Sequence, residues 1–282
     1  WDTHAGWVRS ICYSPDSSVL ASCGGNLVRL WQTRDGGLLA TLEGHTADIT
    51  SVCFSADAKL LASASMDATI RIWDRQTGAC IHVLRGHTGI VHAACFHPEG
   101  KIVASAGEDK TVRLWSTDTG ECLRSLPGHS EWVAAVAFSP DGAVLASGGG
   151  DTTVRLWHPH SGQCTRSLDG HRGAVSSLCF GSGGTVLASG NTDGTVRMWN
   201  PGTGQCLHTL GGHNGTVMST ALDDIHGQVA SSSLDQTVRI WDGRSGQYAP
   251  SASAPSEICW QAAASTRLSG CGIPKAETAY KS

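Results

Sequence analysis

Residues 128–157 read GHSEWVAAVAFSPDGAVLASGGGDTTVRLW, and most of the chain consists of copies of that stretch. It opens on Gly128-His129, carries Ser147 near its middle and Asp151 in the turn that follows, and closes on Trp157. Trp31, Trp73, Trp115, Trp157, Trp199 and Trp241 recur every 42 residues. His45, His87, His129, His171 and His213 keep the same step, and His4 stands 41 residues before His45. Each unit contains four short runs of strand-forming residues. In the second unit they cover 49–54 (a), 60–64 (b), 69–73 (c) and 80–84 (d). Gly, Asp, Pro and Ser turns separate them, such as Ser139-Pro140-Asp141-Gly142 between a and b.

A period in the low forties with four strands per unit predicts an all-β propeller array. The in-phase Gly-His, Ser, Asp and closing Trp resemble the WD-repeat β-propeller family over residues 4–250. The resemblance implies a ring of four-stranded sheets whose faces bind other proteins, and it implies no reaction. It also gives the recurring polar residues a role. His129 is to bridge Ser147 and Asp151, while Ser147 accepts the indole N–H of Trp157, a structural tetrad repeated around the ring.

The expected architecture is six complete four-stranded blades plus a partial seventh. After Asp242 the phase decays: 257–260 resembles strand a and 266–270 resembles strand b, with no c or d behind them. Residues 1–272 are read as one propeller domain and 273–282 as a frayed tail. The missing strands mark the chain as a fragment or incomplete product, or as one that associates through the open edge of the seventh blade. The first blade also departs from the pattern. Gly25 stands where Asp67 stands next door, which deprives His4 of its carboxylate and leaves Asn26 as a partial substitute.

Charge and cysteines narrow the function classes. The formal net charge is −4 with 16% charged residues, which supplies no basic field for nucleic acid. No run reaches the roughly 18 apolar residues of a membrane span. Among eleven cysteines, Cys80, Cys122, Cys164 and Cys206 share one strand-d position, and Cys12, Cys53, Cys95 and Cys179 one strand-a position. Equivalent positions in successive blades lie too far apart for a disulfide. They read as reduced core thiols, with no metal site and no cofactor. Reduced thiols fit a cytoplasmic or nuclear setting. The arginine two residues before each closing Trp reads as a packed stem with its head satisfied locally.

By the same resemblance, one loop face is built from three positions per unit. Three residues after the His come Trp7, Asp48, Ile90 and Trp132; five after it come Arg9, His92 and Met218; before the turn Asp come Met66, Glu108 and Leu234. These positions vary from unit to unit while the strands barely change. Aromatic, Met and Arg side chains are the composition of an interface centre. The face is therefore expected to hold a protein or peptide, with Trp132 and Trp7 as apolar anchors and Arg9 as a reader of charge. Two other functions are weighed. Trp241-Asp242-Gly243-Arg244 resembles the Trp-Asp-x-Arg motif of substrate receptors for cullin-RING ubiquitin ligases. An enzyme with its site in the central channel would need carboxylates or histidines breaking the repeat there, and the sequence shows no such cluster. The reading is a non-catalytic scaffold.

Overall fold

The structure is a computed structural model that describes residue 4, residues 7–223 and residues 226–248. The expected partial seventh blade at 257–270 and the tail at 273–282 lie outside the described residues. All regular structure among the described residues is β.

The first sheet is β1 (Val8–Tyr13), β2 (Val19–Gly24), β3 (Leu27–Gln32) and β4 (Leu38–Leu42). The second is β5 (Ile49–Phe54), β6 (Leu60–Ser65), β7 (Thr69–Asp74) and β8 (Cys80–Arg85). The third is β9 (Val91–Phe96), β10 (Ile102–Gly107), β11 (Val112–Ser116) and β12 (Cys122–Leu126). The fourth is β13 (Val133–Phe138), β14 (Leu145–Gly149), β15 (Val154–Trp157) and β16 (Cys164–Leu168). The fifth is β17 (Val175–Phe180), β18 (Leu187–Asn191), β19 (Thr195–Trp199) and β20 (Cys206–Gly211). The sixth holds three strands, β21 (Val217–Asp223), β22 (Gln228–Ser233) and β23 (Val238–Asp242). Its fourth strand is represented by a single bridge, Trp241 to Tyr248.

Every sheet is an antiparallel meander in chain order. The core lies between sheets. Ala62, Ile70, Ile72 and Leu84 of the second sheet pack against Val91, Phe96, Val103 and Trp115 of the third. The same pairing recurs from sheet to sheet, so strands b and c are covered on both faces and read as near-continuous apolar runs. The innermost strands β1, β5, β9, β13, β17 and β21 follow one another as neighbours, and all six line one cavity of about 460 Å³. The arrangement is propeller-like, with the sheets set around a shared channel.

The Gly before each tetrad His has a physical cause. Gly128 sits at φ 156°, where a Cβ would lie 3.0 Å from Trp157 Cη2 and 3.1 Å from Arg155 Nη1. Backbone conformation and the packed Arg-Trp pair of the same sheet both demand glycine. Gly128→Ala is expected to cost about 2 kcal/mol, read as a lowered urea midpoint with an unchanged slope.

Two expectations need correction. The strand-d cysteines are not core: Cys122, Cys164 and Cys206 are exposed, because d is the outermost strand and turns one side to solvent. Each of these thiols donates to the backbone carbonyl two residues on, at 3.3–3.4 Å. Nine cysteines are described and all are free thiols. The strand-c arginines are packed stems, but their heads are not fully satisfied. Nε of Arg29, Arg71, Arg113, Arg155, Arg197 and Arg239 is buried without a hydrogen-bond partner. In two of them the guanidinium lies over the closing indole, 5.8 Å from Trp73 for Arg71 and 5.9 Å from Trp199 for Arg197.

Candidate functional site: a loop face around the channel

Beneath the face lies the tetrad. Trp157 Nε1 donates to Ser147 Oγ at 2.7 Å, Ser147 Oγ lies 2.7 Å from His129 Nε2, and His129 Nδ1 lies 2.8 Å from Asp151 Oδ2. An indole can only donate and a carboxylate can only accept, so the protons run one way, from Trp to Ser to His to Asp. That direction requires a neutral imidazole with its proton on Nδ1. Burial, outweighing the nearby Asp151 charge, lowers the pKa of His129 and keeps it in that form. Equivalent chains join His45, His87 and His213 to their own Ser, Asp and Trp.

Asp67 shows how the carboxylate is held. Burial works to raise its pKa, but hydrogen bonds from Thr69, His45 and the Thr46 amide outweigh that and hold it down to about 2. Ser147 is fully buried and already accepts the indole, so the Ser-His-Asp set presents no nucleophile.

Two units break the chain. His4 Nε2 reaches Ser22 at 2.8 Å, but its Nδ1 is buried without a partner. Asn26 does not substitute for the missing carboxylate, because its amide donates to the His45 carbonyl at 3.1 Å. The second break was not foreseen. His171 Nδ1 also lacks a partner although Asp193 is in phase. Asn191 occupies the place held by Ser65, Gly107, Gly149 and Ser233 in the other units. Its longer side chain donates to Gly173 O at 2.6 Å and accepts the Asp193 N–H at 2.7 Å. Burial and the Arg197 charge then lower the His171 pKa to about 4.

Above the tetrads, one backbone device builds the face in each unit. The register between strands a and b slips by one residue, and the extra residue is Arg9, Thr50, His92, Ala134, Ser176 or Met218. A β-bulge re-aims the side chain it carries. All six of these residues line the channel. Thr50 and Ser176 spend their hydroxyls on the next sheet, donating to Val91 O at 2.6 Å and to Val217 O. Arg9, His92 and Met218 also stand at the wall.

The other two positions are joined by a backbone hydrogen bond in the second to sixth units. Met66 N donates to Asp48 O, Glu108 N to Ile90 O, Gly150 N to Trp132 O and Leu234 N to Thr216 O, at 2.8–2.9 Å. Trp7 and Leu234 are each 54% exposed and Trp132 is 37% exposed, whereas Met66, Ile90 and Met218 are half-buried. The Trp132 indole lies flat on Gly150, where a Cβ would meet its Nε1 at 2.7 Å, and its centroid is 5.6 Å from the His92 ring. Two charged residues are engaged within the protein. Arg9 Nη2 donates to Asp48 Oδ2 at 2.9 Å across two sheets, and Glu108 Oε2 accepts the Ile90 N–H at 3.2 Å. Arg9, read from the sequence as a free reader of charge, is therefore half of an ion pair within the protein.

Among the described residues the channel wall is made largely of Ser, Ala and Thr, with Arg9, Cys12, Tyr13, His92 and Cys179 as its titratable side chains and no carboxylate. Among the described residues no three His, Cys, Asp or Glu side chains converge as metal ligands would. On the opposite face, Asp242 caps its turn by accepting from Arg244 N at 3.0 Å and Ser245 N at 2.7 Å, and Arg244 is exposed.

The family model described as WD domain, G-beta repeat matches six times, over residues 1–32, 36–74, 78–116, 120–158, 162–200 and 204–242. No curated protein matched the chain.

Proposed function

Because the chain belongs to the WD domain, G-beta repeat family, whose repeats generally serve as protein-interaction scaffolds, we propose that it is a non-catalytic scaffold. It holds a peptide or protein domain on the loop face around the channel mouth. The observation that supports this best is the seat of Trp132. A large indole stays partly exposed on a rigid platform of Gly150 and His92, with little rotamer entropy left to lose on binding. Trp7 and Leu234 extend the apolar surface around the rim, and the half-buried Met66, Ile90 and Met218 fill between them. Among the described residues the channel wall is mostly small hydroxyl and methyl groups, which suits binding rather than catalysis. A formal net charge of −4 offers no basic field for nucleic acid, and a cytoplasmic setting suits a chain with exposed free thiols.

Trp132→Ala should leave the fold intact, since the side chain is outside the core, and should abolish capture of the partner. The measurement is quantitative mass spectrometry of proteins retained by wild type, by Trp132→Ala and by Arg124→Ala on the outermost strand of the third sheet. Partners lost with Trp132→Ala but kept with Arg124→Ala are the expected result. Identical retention by all three would overturn the reading.

A further inference from the structure

Where the third and fourth units meet, the loop face carries a charge that it does not neutralise. The turn after β10 reaches across this junction. Lys110 Nζ donates to Ser130 O at 2.8 Å, two residues before Trp132, and lies 3.5 Å from Glu131 Oε1. Glu131 thereby has a counter-ion, as Asp48 has Arg9. Exposed Glu108, two residues before Lys110, enters no ion pair among the described residues. Its carboxylate is nonetheless held in place. Oε2 accepts the Ile90 N–H at 3.2 Å while Glu108 N donates to Ile90 O at 2.8 Å. The side chain also lies close over Gly89, where a Cβ would meet Oε2 at 3.0 Å. Oε1 accepts no hydrogen bond from the described residues.

Aromatic surface stands beside this carboxylate. His92, two residues after Ile90, has its ring 5.6 Å from that of Trp132. Three atoms of the Trp132 pyrrole ring would lie 2.7–3.0 Å from a Cβ on Gly150, so that glycine covers one face of the indole and the 37% exposure falls to the rest. An electron-rich ring and a pre-positioned, unneutralised carboxylate at one junction suit the same chemical group. That group is a flat cation that stacks and donates hydrogen bonds.

We propose that the partner held on the loop face presents an arginine at this junction, its guanidinium stacked on Trp132 and donating to Glu108 Oε1. Shape selects arginine over lysine. A planar guanidinium can lie on the ring and still aim an N–H at the carboxylate, whereas an ammonium is a compact, strongly hydrated point charge. Trp132 offers area to any apolar group, and Glu108 adds the demand for positive charge. Glu108 is thus the specificity-determining residue of the face.

The test follows the Trp132 indole N–H resonance, assigned through Trp132→Phe, while the full chain is titrated with the peptide acetyl-Gly-Gly-Arg-Gly-Gly-amide. A saturable shift with a Kd of about 1 mM is expected. Citrulline in place of the arginine keeps the shape and removes the charge, and should weaken binding about tenfold. Glu108→Gln in the protein should weaken the arginine peptide about fivefold with the melting temperature unchanged. Absence of a saturable shift, equal binding of the citrulline peptide, or wild-type affinity in Glu108→Gln would each overturn the proposal. Retention of proteins by the same variants separates this proposal from the loop-face reading on which it rests. Capture lost with Trp132→Ala but unchanged with Glu108→Gln would leave the loop face in place and overturn the arginine. Capture that survives both variants would fail the loop-face reading itself, and the arginine with it.

Discussion

Ser147→Ala is expected to lower stability by about 3 kcal/mol. The hydroxyl serves two buried groups at once, accepting the Trp157 indole at 2.7 Å and lying 2.7 Å from His129 Nε2. Removing it strands a donor and an acceptor in a site that excludes water, and each orphan costs about 1–3 kcal/mol. A methyl fills nearly the same space, so lost packing contributes little. The companion variants Asp151→Ala and Asp193→Ala separate the bond from the position. Asp151 accepts from His129, Ser130 N and Thr153, whereas Asp193 lacks the histidine. Urea titration should rank them Ser147→Ala, Asp151→Ala, Asp193→Ala from largest to smallest loss. Equal losses for the two aspartates would contradict the hydrogen-bond account.

Acid is the second large effect. Buried His45, His87, His129 and His171 and half-buried His4 all have pKa values below the unfolded value of 6.5. The unfolded chain then binds more protons than the folded one as pH falls below 6.5. Stability is fully present above that pH and is lost as pH descends toward the folded values. For His171, pushed from 6.5 to about 4 by burial and the Arg197 charge, the loss amounts to about 3 kcal/mol. The urea midpoint should drop steeply between pH 7 and pH 4.5. His171→Asn should flatten the dependence by about 2–3 kcal/mol over that window. A flat profile in the wild type would contradict neutral buried histidines.

What was legible in the sequence was whatever repeats. Spacing located the strands to within a residue or two, because Trp, His and Ser each answer to a partner a fixed distance away in the same unit. Three features were not legible. The bulge at Arg9, His92 and Met218 is a slip of backbone register, which leaves no mark on composition although it aims those side chains into the channel. The break at His171 coincides with Asn191, a neighbour outside the tetrad that hydrogen-bonds within the turn. The pairing of Arg9 with Asp48 joins residues of adjacent sheets, which no single unit's pattern contains. In each case the missing information concerned how one unit meets the next.

A partner seated on the loop face would leave its mark in oxidative footprinting of the protein with and without that captured partner. Solvent-exposed Trp7 and Trp132 should oxidise in the free protein and become protected in the complex, while exposed Cys122, Cys164 and Cys206 on the outermost strands stay reactive. Protection of the outer cysteines with Trp7 and Trp132 unchanged would place the partner elsewhere and contradict the claim.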